Sequence, residues 1–241
     1  MSIVTYHSRL TGAYYYINYN AANASNEPVT GSNGIANAGM IRDYLRNVLG
    51  WKPNQVVGAV ASAHWWASMN PAKGFGNPNA TTGGYWNKST QALMNVWRAS
   101  YGNEQYQYGD APLMLLRGHV AENAGFRYVM GDGLTWVGYL NGNYTVGDCF
   151  KYFYHGYVFP DIDRLLIDEE VMKQQARYWY RVLYNGQGDG DDNPDIPPVP
   201  LPEEDKAKKD FIFNHVILPL IFGGKCGNIK TGKHYLRGDC T

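Results

Sequence analysis

A run of glycine, aspartate and proline divides the chain and limits what each side of it can fold into. Residues 185–194 read NGQGDGDDNP, and residues 196–202 read IPPVPLP. Glycine and aspartate favour a flexible backbone, whereas closely spaced prolines favour a stiff, extended one, so this segment is typical of a spacer. We therefore predict a linker over residues 185–205, and beyond it a tail over residues 206–241 that is too short to fold well alone and would dock on something else.

Before this linker, apolar residues recur at the spacing of amphipathic helices. Gly50 follows the first such stretch, and Pro53 stands in the first turn of the second. Thr145, with Asp148 three residues later, is typical of a helix N-terminus that caps itself. These signals predict a mainly α domain over residues 35–184.

The first 34 residues have a different composition, rich in tyrosine, asparagine, glycine and serine. The run AYYYINY at positions 13–19 favours extended structure through its aromatic residues. Its apolar and polar residues do not alternate cleanly over a useful length, so a buried strand is not indicated. We predict an N-terminal extended arm, or a short hairpin, over residues 1–34.

The charges of the chain balance and argue against two classes of partner. Lysine and arginine number 21, and aspartate and glutamate also number 21. Proteins that bind nucleic acids or anionic membranes usually carry excess positive charge, so we expect no nucleic-acid partner. No stretch reaches the roughly 20 apolar residues of a membrane span, and the N-terminus has no pattern of a secretory signal. We expect synthesis in a cytoplasm without a signal peptide.

The cysteines do not indicate a disulfide framework or a metal site. The chain has three cysteines, Cys149, Cys226 and Cys240, and an odd count does not indicate a set of disulfides. We expect free thiols, although Cys226 and Cys240 could pair. Cys226, His234 and Cys240 lack the closely spaced cysteine pair of structural zinc sites. We predict no metal and no cofactor.

The most distinctive local string is ASAHWWASMNP at positions 61–71, a helix that ends in paired tryptophans and is followed by Asn-Pro. A loop with the sequence TTGGYWN follows at positions 81–87. A helix end facing such a loop would form a cleft whose aromatic rings can stack on sugars. The candidate cleft residues are His64, Trp65, Trp66, Tyr85, Trp86 and Asn87. An equally weighted alternative is that Trp65 and Trp66 only fill the core.

The order of these segments resembles the tail-associated lysozyme domains of bacteriophages, the muramidase modules of tail-tip proteins that degrade cell walls. Residues 50–52, GWK, stand where the family has Gly-Trp-Thr, and the second helix closes at Asn70-Pro71 as in the family. Residues 83–87, GGYWN, fall on its glycine-rich loop, and residues 153–160, FYHGYVFP, on a Phe-x-x-x-Tyr-Glu-Arg-Pro segment. The resemblance covers residues 35–184 and implies a lysozyme-like helical domain.

The same resemblance implies that the catalytic apparatus is missing. The family's catalytic glutamate falls on Trp66, which has no titratable proton to give to a glycosidic oxygen. The cleft glutamine falls on Asn87, and Tyr-Glu-Arg-Pro becomes Tyr157-Val158-Phe159-Pro160, so Tyr157 joins the candidate cleft without its acidic neighbour. We assign no catalytic residue. Glu104, Glu122 and Asp132 are candidates for a substitute acid, whereas Asp110 is better explained as a helix cap.

These observations leave three functional hypotheses. The favoured one is a phage virion tail protein with an inactive lysozyme-like domain, in a structural or peptidoglycan-binding role during host attachment and entry. Its partners would be other tail proteins in a symmetric assembly, and glycan strands if it binds the wall. The alternative is an active peptidoglycan hydrolase, which needs a carboxylate facing Trp66 and Asn87. In the third, the apolar run at residues 211–222 inserts into a membrane interface.

Overall fold

A computed structural model of the protein describes residues 2–19, 28–75, 80–101, 108–130 and 133–184, and the backbone of residues 229–231 and 234–236. The chain divides into two compact units, Met1–Asp191 and Asp192–Thr241. The predicted linker over residues 185–205 lies outside the described residues.

The described part of the first unit is mainly helical, as predicted. Its helices are α1 (Gly31–Asp43), α2 (Pro53–Ala67), α3 (Thr90–Tyr101), α4 (Asp110–Ala121), α5 (Trp136–Asn141), α6 (Val146–Phe153) and α7 (Glu169–Tyr184). Single π-helical turns, Tyr44–Val48 and Tyr154–Val158, continue α1 and α6. Its strands form two antiparallel pairs, β1 (Ser2–His7) with β2 (Tyr14–Tyr19) and β3 (Thr82–Gly83) with β4 (Lys88–Ser89).

Helix α2 is the centre of this unit. Every residue from Gln55 to Ala63 is buried, so the helix is enclosed on all sides by α6, α7 and α1. Gly58 lies against the backbone of α6, where a Cβ would come within 2.5 Å of the Cys149 carbonyl oxygen. No real Cβ contact is that short, so the two helices approach as closely as they do only because residue 58 has no side chain.

Two predicted helix starts are confirmed. Pro53 is the first residue of α2, and the amide of Lys52 donates to Gln55 Oε1 at 3.0 Å, which completes the cap. At the start of α6, the Thr145 hydroxyl oxygen accepts a hydrogen bond from the Asp148 amide at 3.1 Å.

The N-terminal residues predicted to form an arm or hairpin form β1 and β2, and the hairpin contributes to the core. Tyr15 and Ile17 of β2 are 0% and 1% exposed and pack in the same cluster as α2. Tyr6 of β1 stacks on Tyr15 with ring centroids 5.8 Å apart. The described residues 2–19 and 28–34 thus lie in the same compact unit as the helices.

Asp110 binds this hairpin, and it is the first residue of α4 instead of the N-cap residue. Its carboxylate is fully buried and accepts hydrogen bonds from the Ser8 hydroxyl at 2.5 Å and the Arg9 amide at 2.9 Å. The N-cap position of α4 is Gly109, which makes no side-chain cap. A buried carboxylate that bonds the β1–β2 turn thus joins segments about 100 residues apart in sequence.

Between α2, α5 and α6 the core is aromatic. Ring centroids of contacting pairs lie 5.1–6.2 Å apart, mostly in edge-on or tilted arrangements. The members are Trp51, Trp86, Trp136, Tyr139, Phe153 and Tyr157.

In the second unit the structure describes a single antiparallel pair, β5 (Ile229–Thr231) with β6 (His234–Leu236). Ile229 lies opposite Leu236, and Thr231 opposite His234. The apolar run at residues 211–222, Cys226 and Cys240 lie outside the described residues.

Replacing Gly58 tests the α2–α6 contact. We expect Gly58→Ala to lower the free energy of unfolding by about 1–3 kcal/mol, because the added methyl group meets a backbone carbonyl that cannot move alone. Gly39→Ala in α1 is the matched control: nothing lies within 4 Å of its Cβ, and we expect a gain of about 0.5–1 kcal/mol. Urea unfolding measures both, and equal stability of the two variants would contradict the contact.

Candidate functional site

The seven residues predicted to line a cleft do not share an exposed aromatic surface. Tyr85, Trp86 and Tyr157 are 0% exposed, and Trp66 is 7% exposed. The three that are partly exposed are His64, Trp65 and Asn87. Stacking on a sugar needs a ring face open to solvent, and the four buried rings offer none.

Tyr85 and Trp86 are part of the aromatic core. The Trp86 indole donates from Nε1 to the Ala59 carbonyl of α2 at 2.9 Å, and its ring lies edge-on to Phe153, 5.7 Å away. Tyr85 lies beside it with ring centroids 5.8 Å apart, and burial raises the pKa of Tyr85 well above its ordinary value. Both rings therefore attach the β3–β4 turn to the helices.

Trp66, the position that the lysozyme resemblance assigns to the catalytic acid, is enclosed by an aromatic ring and an ammonium group. Phe159 packs edge-on to the indole at 5.3 Å. The Lys73 ammonium lies 4.0 Å from the centre of the indole ring and donates a hydrogen bond to the Trp66 backbone carbonyl. At this position the structure has a packed indole and a buried cation.

Lys73 caps the C-terminal end of α2. The last carbonyls of a helix have no partner within the helix and carry partial negative charge, so a cation there is favourable. The helix stops at Ser68 and Met69, whose φ angles are +47° and +59°, and the chain then returns to place Lys73 over the Trp66 carbonyl. Burial lowers the pKa of Lys73 to about 8.

Asn87 and Lys88 make a second cap of the same kind on the π-helical turn Tyr154–Val158. The Asn87 side-chain amide donates to the Val158 carbonyl at 3.2 Å, and the Lys88 ammonium donates to the Tyr157 carbonyl. The Lys88 ammonium also lies 4.0 Å from the centre of the Tyr157 ring. Burial lowers the pKa of Lys88 to about 7. Both lysines thus bind carbonyls at a helix end beside an aromatic face.

Of the three candidate substitute acids, Glu104 and Asp132 lie outside the described residues. Glu122 is exposed just beyond α4, and its charge acts on His119. His119 Nδ1 lies 3.1 Å from the Tyr157 hydroxyl, and burial followed by the Lys88 charge lowers the pKa of this imidazole.

The two histidines nearest α7 have structural partners. His155 is fully buried; its Nδ1 bonds the Lys151 carbonyl at 3.0 Å, and its Nε2 accepts from the Leu166 amide at 3.0 Å. An imidazole that donates from one nitrogen and accepts at the other is neutral, and burial lowers its pKa. His64 bonds the Gln175 amide at 2.9 Å.

The described residues contain no group of three or more histidine, cysteine, aspartate or glutamate side chains placed to hold a metal ion. Cys149 is a free, buried thiol, and burial raises its pKa. Within the same residues, no helix is long and apolar enough to cross a membrane.

Sequence reasoning missed the two capping lysines. The sequence held one signal for Lys73, its position in the string NPAKGFG, which has small and apolar residues and no acidic residue. Lys88 carries no such signal, because its burial depends on residues near position 157. No protein-family model matches the sequence, and no curated protein shows significant similarity to it.

The Lys73 cap predicts a pH dependence of stability. The folded-state pKa of about 8 lies below the ordinary 10.5, so between these values the unfolded chain binds more protons and the free energy of unfolding rises with pH. We expect Lys73 to contribute a rise of about 2 kcal/mol between about pH 8 and pH 9.5, and Lys73→Met to lack it.

Urea unfolding at the two pH values measures this rise. Lys173→Met is the matched control, because the Lys173 side chain is 43% exposed on α7, and it should keep the wild-type slope. If the free energy of unfolding of Lys73→Met rises with pH as steeply as that of wild type, the Lys73 ammonium is not buried in solution.

Proposed function

We propose that the chain is a bacteriophage tail protein whose lysozyme-like helical domain has no glycosidase activity and serves an architectural role. One observation carries the proposal: the position that the resemblance assigns to the acid holds an indole packed between Phe159 and the ammonium of Lys73. In this proposal, the position that carries the catalytic acid in a muramidase is here part of a well-packed core.

The charge at this position opposes glycosidase chemistry. A general acid for glycoside hydrolysis is a carboxylic acid whose pKa is raised, so that it holds its proton at neutral pH. A carboxyl group at position 66 would lie beside the Lys73 ammonium, and a neighbouring cation lowers a carboxyl pKa. Restoring the glutamate alone would therefore give an ionised carboxylate and no acid.

The neighbours of the predicted cleft support an architectural role over catalysis. Among the described residues, Trp66 contacts Phe159 and Lys73, and Asn87 binds the Val158 carbonyl; none of these supplies a carboxylate. The burial of Tyr85, Trp86 and Tyr157 also favours architecture over glycan binding, because no open ring face remains on them.

Purified sacculi test the enzymatic half of this proposal. We expect neither release of reducing ends nor co-sedimentation above that of an inert protein, for wild type and for Trp66→Glu, with an active muramidase as the positive control. Reducing-end release by wild type would overturn the proposal and direct mutation to Glu104 and Glu122. Co-sedimentation without release would assign a wall-binding role in place of an architectural one.

The virion half needs a separate measurement. We expect antibodies against the chain to label the tail of phage particles whose genome encodes it, as seen by electron microscopy. Particles from a deletion mutant complemented with an unrelated gene are the control. Labelling only in lysate debris, with none on particles, would contradict a virion role.

A further inference from the structure

The two outer edges of the β1–β2 hairpin differ. On the β2 side, the Asn37 side chain of α1 accepts from the Tyr16 amide at 2.7 Å and donates to the Tyr16 carbonyl at 2.7 Å. Asn37 thus binds the strand as another strand would and closes that edge. Within the described residues, β1 pairs with β2 alone, and no described group bonds its outer side.

The register shows which groups of β1 are left open. In an antiparallel pair, residues opposite each other alternate between pairs that bond each other and pairs that both point outward. Tyr16 points outward, because Asn37 binds it, and its partner in the register is Thr5. The amides and carbonyls of Thr5, and of Ile3 and His7 two residues on either side, therefore face away from β2.

As far as the described residues show, this edge lacks the devices by which proteins protect exposed strands. Natural edges carry lysine, proline, a bulge or a covering loop, because an open edge pairs with other strands. Residues 2–7 read SIVTYH, with no charged residue, proline or glycine, and their register with β2 is unbroken. Ile3 and Val4 are apolar yet 44% and 38% exposed.

We infer that the open edge of β1 is an interface that pairs with β1 of a second copy of this chain. Antiparallel pairing about Thr5 places Thr5 opposite Thr5 and Ile3 opposite His7, and these outward-facing residues would exchange about six backbone hydrogen bonds. The hairpins would then form one four-stranded sheet related by twofold symmetry.

A second copy fits this edge because the strand is complementary to itself. Pairing about Thr5 sets Val4 of one copy beside Tyr6 of the other, an apolar and aromatic cross-strand pair of the kind that stabilises sheets. A strand with any charged residue near its centre would place like charges together on self-pairing, and residues 2–7 contain no lysine, arginine, aspartate or glutamate. The inference does not rest on the proposed function.

Sedimentation of the full chain over a concentration series tests the inference. We expect a monomer–dimer equilibrium, with the dissociation constant raised at least about tenfold by Thr5→Lys, which places two like charges opposite each other. Gln174→Lys is the charge-matched control on an exposed position of α7 and should dimerise as wild type does. A chain that is monomeric throughout, or a Thr5→Lys variant that dimerises as tightly as wild type, would overturn the inference.

Two further variants separate edge pairing from damage to the hairpin. Thr5→Pro removes only an amide that faces away from β2, so it should abolish the dimer while keeping the wild-type circular dichroism spectrum. Thr5→Cys, with Cys226 and Cys240 changed to serine, should form a disulfide dimer on mild oxidation, because Cα atoms in such a pair lie about 5.5 Å apart. Gln174→Cys in the same background is its control.

Equal cross-linking at positions 5 and 174 would point to random collision and refute a specific edge. A monomer in which the Thr5→Cys thiol resists a small thiol reagent would show that another part of the chain covers the edge, and this result also refutes pairing between copies. If Thr5→Pro does not fold, the sedimentation of Thr5→Lys and the cross-linking of Thr5→Cys decide the question.

Discussion

The close approach of α2 and α6 is the constraint on which the rest of the first unit depends. Because α2 is buried from Gln55 to Ala63, each neighbouring helix must pack against the small side chains of α2. Gly58 sets the distance between α2 and the α6 backbone. That contact brings the π-helical turn after α6 next to the end of α2. The aromatic core and both lysine caps lie in the space that these elements enclose.

The lysine caps resolve a problem that this packing creates. Two helical segments end inside the first unit, and buried carbonyls without partners cost free energy. Lys73 and Lys88 supply donors that bring positive charge to the negative ends of these segments, and their aromatic neighbours offset part of the cost of burying an ammonium. Burial lowers the pKa of both lysines, so part of that cost remains.

Local signals in the sequence predicted the helices and their starts, and tertiary contacts determined what the sequence could not predict. Periodicity, Pro53 and the Thr145–Asp148 pair act within a few residues, so they could be recognised from a single chain. Tyr15 lies in the core, and the hairpin that carries it is held by Asp110, which is distant in sequence. The predicted cleft depended on whether ring faces are open or packed, and no spacing rule distinguishes these two outcomes for Trp66 or Trp86.

The contrast between the interior and the hairpin edge supports the proposals of an architectural role and of pairing between copies. At Trp66, the indole is packed and the backbone carbonyl is bonded to Lys73, so a substrate there would have to displace contacts that stabilise the fold. Along β1, by contrast, backbone donors and acceptors face outward with no partner among the described residues, and pairing there would displace none of the described contacts. A strand whose outward amides and carbonyls have no described partner gains free energy by pairing with another strand.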